Sequence, residues 1–309
     1  NKLSSLKKFL TDNDIRSTNF KIIDDEKISF VVDEESLDNV LSLLADKESE
    51  INPYFARFKT HEFDIEENKV WSSSNITLKF SEYGLVQLKT SSQNQAIEIV
   101  RRRVDEIGTN EPNILKRGND RILVELPGLE NPDRIKSLLG KTANLTFRFV
   151  TLNEEESFGT EKIPFEDGTE AIISKRIILS GDNLVDAQPR MDNQSNQTVV
   201  TFNLDRVGAK KFAKATSSGV GKRLAIILDG KIISAPNISE PIVGGAGQIT
   251  GDFTFQSATD LALLLRSGAL PAPLEIIEER TVGQGLGQDS INSGVFALII
   301  GSLLVIIFM

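Results

Sequence analysis

Residues 93–108, QNQAIEIVRRRVDEIG, decide how the chain is read. Ile97, Val100, Val104 and Ile107 recur at helical spacing and make one apolar face, with Arg101, Arg102 and Arg103 mainly outside it as a solvated stripe. Gly108 supplies a C-terminal stop, and residues 82–92 are compatible with the same helix running further back. Downstream, strands at Asn113 to Lys116 and Arg121 to Leu126 flank a Gly118-Asn119-Asp120 turn. Asn131-Pro132 caps and starts a second helix ending at Gly140, after which Leu145, Phe147 and Phe149 alternate with Thr146 and Arg148. Taken with a strand ending at Phe80, the order is βαββαβ, which predicts an α+β fold on the ferredoxin-like plan.

On the N-terminal side, Leu3, Leu6 and Leu10 predict an amphipathic helix, and Asn19 to Ile23 with Lys27 to Val32 predict two strands across Asp24-Asp25. A helix behind Asp33 aligns Leu37, Val40, Leu41 and Leu44, and strands are expected at Glu62 to Ile65 and Asn75 to Phe80. Residues 1–80 thus read as an N-terminal α/β part, and 81–150 as the ferredoxin-like part.

On the C-terminal side, residues 151–268 form a third region that opens on an acidic, loop-like stretch, Asn153 to Gly168. Strands are expected at Ile172 to Leu179 and Thr198 to Leu204, then a helix from Arg206 to Ser217. Strands Arg223 to Leu228 and Lys231 to Ser234 join through Asp229-Gly230, a two-residue hairpin signal. Gly244 to Gly247 reads as a loop, a helix capped by Ser257 ends at Gly268, and Leu274 to Glu278 reads as a return strand within 269–289. Residues 290–309 carry no charge and close on the apolar run Val295 to Met309. A bilayer helix needs roughly 20 apolar residues, so the run reads as the start of a truncated transmembrane helix. A core helix of this composition would instead need cover on every side. Glu278 to Asp289 holds one arginine against three acids, which places the preceding part on the non-cytoplasmic side.

Composition narrows function. With 309 residues, 35 Lys plus Arg against 44 Asp plus Glu and a net charge of −9, the chain has the wrong sign for a nucleic-acid binder. The absence of cysteine excludes disulfides and thiolate metal sites, and the single His61 excludes a two-histidine metal motif. A hydrolase needs a nucleophile with a base in reach, and no sequence signal places one beside His61. The glycine-rich stretches 244–251 and 283–287 lack a Gly-Lys-Ser/Thr ending and do not read as phosphate loops. No enzyme activity, cofactor or metal is expected. A binding or positioning role remains.

Several stretches, in collinear order over 94–309, resemble the SecD/SecF family of protein-export subunits. They include Arg103-Val104-Asp105-Glu106-Ile107-Gly108, Arg121 to Gly128, Leu139 to Ala143, Gly221 to Gly230, Leu263 to Pro273 and Glu278 to Gly283. Gln284 departs from the family, which commonly has proline there. The resemblance implies a ferredoxin-like base (81–150) that carries an inserted α+β head (151–268), with the N-terminal α/β extension before it. The implied place is the periplasmic side of the bacterial inner membrane. It implies a role in late Sec-dependent export, holding or moving the emerging unfolded secretory polypeptide, with proton-motive force acting through membrane parts outside this sequence. Partners implied are SecF, the Sec translocon (SecYEG), YajC and the membrane. A hinge is implied at the two crossings, Phe149, Val150, Thr151 and Leu152 on one side and Ser267, Gly268, Ala269 and Leu270 on the other, so that Gly268→Pro should restrict the head. Phe202, Phe212, Phe253 and Phe255 are candidates for contacting polypeptide. The competing reading is a membrane-anchored scaffold or sensor ectodomain that binds a folded partner.

Overall fold

The computed structural model describes residues 2–24, 26–70, 73–109, 111–128, 131–151, 159–192, 196–280 and 284–308. It divides into two compact units, Asn1–Ala272 and Pro273–Met309.

The first unit begins with α1 (Lys2–Asp12), β1 (Ser17–Ile23), β2 (Lys27–Asp33), α2 (Glu34–Ala45), the short pair β3 (Tyr54–Phe55) and β4 (Thr60–His61), then β5 (Phe63–Val70) and β6 (Ser73–Phe80). Strands pair antiparallel in the order β1-β2-β6-β5. The alternation along β2 and β6 turns Ile28, Phe30, Val32, Ile76 and Leu78 inward, where Leu6 and Leu10 of α1 and Leu37, Val40 and Leu44 of α2 cover them. The buried side chain of Asn52 closes this part: its amide donates to Leu44 O (3.0 Å) and Phe63 O (3.1 Å), and its carbonyl accepts from Phe63 N (2.7 Å).

Helix α3 (Glu82–Ile107) starts well before Gln93, so residues 82–92 extend the helix backwards. Ser81 sets that start by accepting from Gly84 N (3.0 Å) and donating to His61 O (2.7 Å). Gly84 lets the first turn approach Glu62, since a Cβ there would lie 2.2 Å from Glu62 O. The hairpin β7 (Asn113–Arg117) and β8 (Arg121–Glu125), helix α4 (Pro132–Gly140) and strand β9 (Leu145–Phe149) follow in the expected order.

That order does not close into one ferredoxin-like sheet among the described residues. β6 lies in the N-terminal sheet, β7 and β8 pair only with each other, and β9 sits in a third sheet. A strand has two hydrogen-bonding edges; those of β6 are filled by β2 and β5, and those of β9 by later strands.

The rest of the unit comprises β10 (Thr160–Pro164), β11 (Glu170–Ser174), β12 (Leu179–Ser180), β13 (Leu184–Met191), β14 (Thr198–Leu204), α5 (Arg206–Ser218), β15 (Leu224–Leu228), β16 (Lys231–Ser234), β17 (Ala246–Phe253) and α6 (Phe255–Ser267). Their main sheets run β12-β9-β15-β16 and β13-β14-β17, and α6 covers a shared core built on Phe147, Val200, Phe202, Phe212 and Ile249. Four local expectations are corrected. The strand expected over 172–179 is split into β11 and β12, and β10 lies inside the stretch read as loop. The stretch from Ala246 is a strand rather than a glycine loop, because Gly247 leaves room for the ring of Phe202, 2.6 Å from where a Cβ would sit. Thr254, not Ser257, caps α6: its hydroxyl accepts from Ser257 N at 3.1 Å.

In the second unit, residues 273–280 carry no regular structure, so the return strand expected at Leu274 to Glu278 is not formed. Helix α7 (Gln284–Phe308) follows, with Leu298, Ile299, Leu303, Leu304 and Phe308 exposed. Among the described residues no helix is long and apolar enough to cross a membrane.

Candidate functional site

The most organised polar cluster lies where α3, α4, the end of α6 and the β15–β16 turn meet. Of the arginine triplet, Arg101 and Arg102 are exposed as expected, but Arg103 is 0% exposed. The helix explains the difference. Arg103 stands three residues after Val100 and four after Ile99, on the same stripe as the apolar face, so its stem must point inward.

The guanidinium is held by oxygens of neutral groups. Its Nη1 donates to Leu138 O (2.7 Å), Leu139 O (3.1 Å) and Lys141 O (2.5 Å). Its Nη2 donates to Thr142 O (3.4 Å) and Gly268 O (3.2 Å), and Nε to the Ser267 hydroxyl (3.4 Å). Leu138 and Leu139 belong to the last turn of α4, where carbonyls lack intrahelical partners and the helix dipole is negative. Burial draws the Arg103 pKa down to about 10, opposed by the charge of Asp229, so the side chain stays cationic at neutral pH.

Residues 142–144 are gripped from the amide side by Asp229. Its Oδ1 accepts from the Thr142 hydroxyl (2.5 Å) and Asn144 N (2.8 Å), and its Oδ2 from Ala143 N (3.1 Å). Asp229 and Gly230 both take positive φ (48° and 78°), the geometry an Asp-Gly hairpin turn requires. Leu270 N donates to Thr142 O at 2.8 Å, which lays residues 268–270 alongside the same loop. Around this centre, Arg266 of α6 makes a two-point ion pair with Glu106 of α3 (2.5 and 3.1 Å) and donates to Ala187 O (2.6 Å). Arg134 of α4 pairs with Asp260 of α6 at 2.6 Å. Leu138, Ala143 and Leu264, with Ile107 and Leu228, form the small apolar floor.

The residues expected at the two crossings are placed differently from each other. Val150 N donates to Arg223 O (3.0 Å) and Thr151 N to Ile172 O (2.8 Å), and Phe149 pairs with Leu224 as part of β9. Leu152 lies outside the described residues. Ser267 and Leu270 are buried in the seam, Ala269 is half-buried there, and Gly268 takes φ 88° and ψ 172°. The four phenylalanines are not brought to one surface. Phe202 and Phe212 are core and form a tilted and edge-on trio with Phe147, the ring centroids 5.5 to 6.1 Å apart. Phe253 is half-buried against the same core, and only Phe255 is open, at 62% exposure.

A mixed α+β protein is thereby defined whose ordered polar groups join its segments to one another. Comparison with known proteins places it further. Residues 93–151 match the family described as protein translocase subunit SecDF, P1 domain, N-terminal, and residues 156–272 match the SecDF P1 head subdomain. The chain is 46% identical over 254 residues to protein translocase subunit SecD of Rickettsia bellii, covering 80% of this chain and 49% of that protein. It is 43% identical over 260 residues to SecD of Acetobacter pasteurianus, covering 82% and 49%. A solved structure of SecDF, described as a membrane component that enhances protein export, superposes with TM-score 0.53 at 31% identity, over 62% of this chain and 94% of that one. SecDF in a super-membrane-facing form superposes with TM-score 0.55 at 33% identity, over 69% and 31%. The chain belongs to the SecD/SecDF family of protein translocase subunits, and it spans about half the length of the curated relatives it matches.

Proposed function

We propose that this chain is the extramembrane part of a SecD-type subunit and that it assists Sec-dependent export by holding or moving the emerging unfolded polypeptide. Proton-motive force would act through the parts of the longer relatives that this chain does not span. In this reading the module lies on the periplasmic side of the inner membrane and works beside SecF, YajC and the SecYEG channel. The apolar, exposed side chains around α7 support reading it as the start of a membrane helix.

The observation that carries the proposal is the seam itself. Ahead of β9, the segment matching the P1 N-terminal domain meets the head through Arg103, Arg266–Glu106 and Arg134–Asp260 around a small apolar floor. Polar junctions of this kind favour parts that move relative to each other. In this reading the hinge lies at the two crossings, around Val150 and Thr151 and around Gly268, and a swing of the head would have to break the hydrogen bonds of Val150 to Arg223 and Thr151 to Ile172.

Fluorescence anisotropy with a permanently unfolded secretory protein and its folded counterpart tests the holding role. Selective binding of the unfolded form is expected. Preference for the folded partner would turn the reading to a scaffold or sensor ectodomain.

A further inference from the structure

One stretch of the head breaks the charge pattern of the whole chain. Over residues 206–223 the sequence carries Arg206, Lys210, Lys211, Lys214, Lys222 and Arg223 and no acid, in a chain of net charge −9. All of these residues are exposed. Along α5, the exposed positions 206, 207, 210, 211, 214, 217 and 218 fall within an arc of about 140° at 3.6 residues per turn, while Gly208, Phe212 and Thr216 face the core. The helix therefore presents a single cationic face with Val207 exposed on it.

Ordinary solvated faces of this chain look different. On α3, Arg101 is paired with Glu98, and Asp105 and Glu106 follow within one turn. On α4, Lys136 pairs with Asp133. On α5, none of Arg206, Lys210, Lys211 and Lys214 forms an ion pair with a carboxylate among the described residues. The nearby carboxylate of Asp205 is engaged as the helix cap, accepting from Gly208 N (2.5 Å) and from the Asn183 amide. Like charges at i, i+4 cost helix stability, and the one carboxylate among the described residues that feels this row is Asp205 at its start, acted on by Lys211, so an anionic partner would relieve the rest.

We infer that this face of α5 docks on an anionic lipid surface. The row is open and built mainly from flexible lysines, which suits a diffuse sheet of phosphates better than a shaped partner. Val207, exposed among the cations, supplies an apolar contact of the kind interfacial helices use. The family's description as a membrane component puts such a surface within reach. The inference is independent of the polypeptide-holding role.

Because the chain has no cysteine, a single label can be introduced by Ser217→Cys on the same face of the full chain. The label would be a fluorophore read by lipid-borne quenchers, in vesicles rich in phosphatidylglycerol and in phosphatidylcholine vesicles. Helix α7 is common to both and cancels from the comparison. Quenching is expected only in the anionic vesicles and should disappear at high salt. Lys210→Gln with Lys214→Gln should lower surface association about thirtyfold, given on the order of 1 kcal/mol per cation near an anionic surface. Equal quenching in both lipids, no response to the double substitution, or quenching relieved only by an acidic polypeptide would each overturn the assignment.

Discussion

Arg103 concentrates the chemistry of the seam in one side chain. A buried cation without a touching carboxylate persists only because carbonyl dipoles, two of them from the end of α4, replace its hydration. Arg103→Leu removes the charge but leaves those carbonyls without donors. It should cost about 3 kcal/mol or more in urea unfolding, with Arg103→Lys recovering part of the loss because an ammonium lacks the planar fork. Gly268 is a second fixed point. Its φ and ψ lie in a region only glycine occupies comfortably, and the space around a would-be Cβ is open, so Gly268→Ala should cost about 1–3 kcal/mol from backbone strain alone. Gly268→Pro cannot act as a gentle restraint on the head. Proline imposes φ near −65° and removes the N–H that donates to Leu264 O, so the end of α6 and its contact with Arg103 should be lost, visible as a lower melting temperature. The inward place of Arg103 was legible in principle from its spacing to Ile99 and Val100. The run of three arginines masks it, because charge type and periodicity point opposite ways at this position.

At the scale of elements, local signals served well wherever the determinant was local. Gly108, Asn131-Pro132 and Asp229-Gly230 mark boundaries through their own backbone preferences, and the helices and hairpin they delimit are present. β17 was not legible, since glycine inside a strand is justified only by the Phe202 ring lying across it. β10 escaped for a different reason: Glu161 and Lys162 stand together between buried Thr160 and Ile163, so no strict alternation marks the strand in an acidic stretch. The α3–α6 contact gives a test at this scale. A double-mutant cycle on Glu106→Ala and Arg266→Ala should return a coupling of about 0.5–1 kcal/mol, because the pair is partly exposed. Arg266→Ala alone should cost more than Glu106→Ala, since it also deprives Ala187 O of its donor.

For the whole molecule, the order of elements from Phe80 to Phe149 could be read, whereas their pairing could not. Pairing is decided by partners far along the chain: β9 takes β15, more than seventy residues later, in preference to its sequence neighbours. The candidate site shares that property, since Arg103 meets Ser267 and Gly268 across separations of 164 and 165 residues. The four candidate phenylalanines for polypeptide contact are likewise sorted by the whole molecule. Large apolar residues in a head of this size fill the core first, and only Phe255 is left outside.

The placement of β9 also has a consequence for how the chain is made. During synthesis residues 145–149 leave the ribosome long before Leu224 to Leu228 exist, so β9 waits with the edge that β15 will fill open and its apolar side chains uncovered. Arg103 waits as well, for Ser267 and Gly268. The nascent earlier half is therefore a liability until the last turn of α6 is added. A fragment ending at residue 151 should accumulate in inclusion bodies, while a fragment ending at residue 272 should be recovered folded, as judged by cooperative thermal unfolding. Chaperone dependence should fall at that length, where the final acceptors of Arg103 become available.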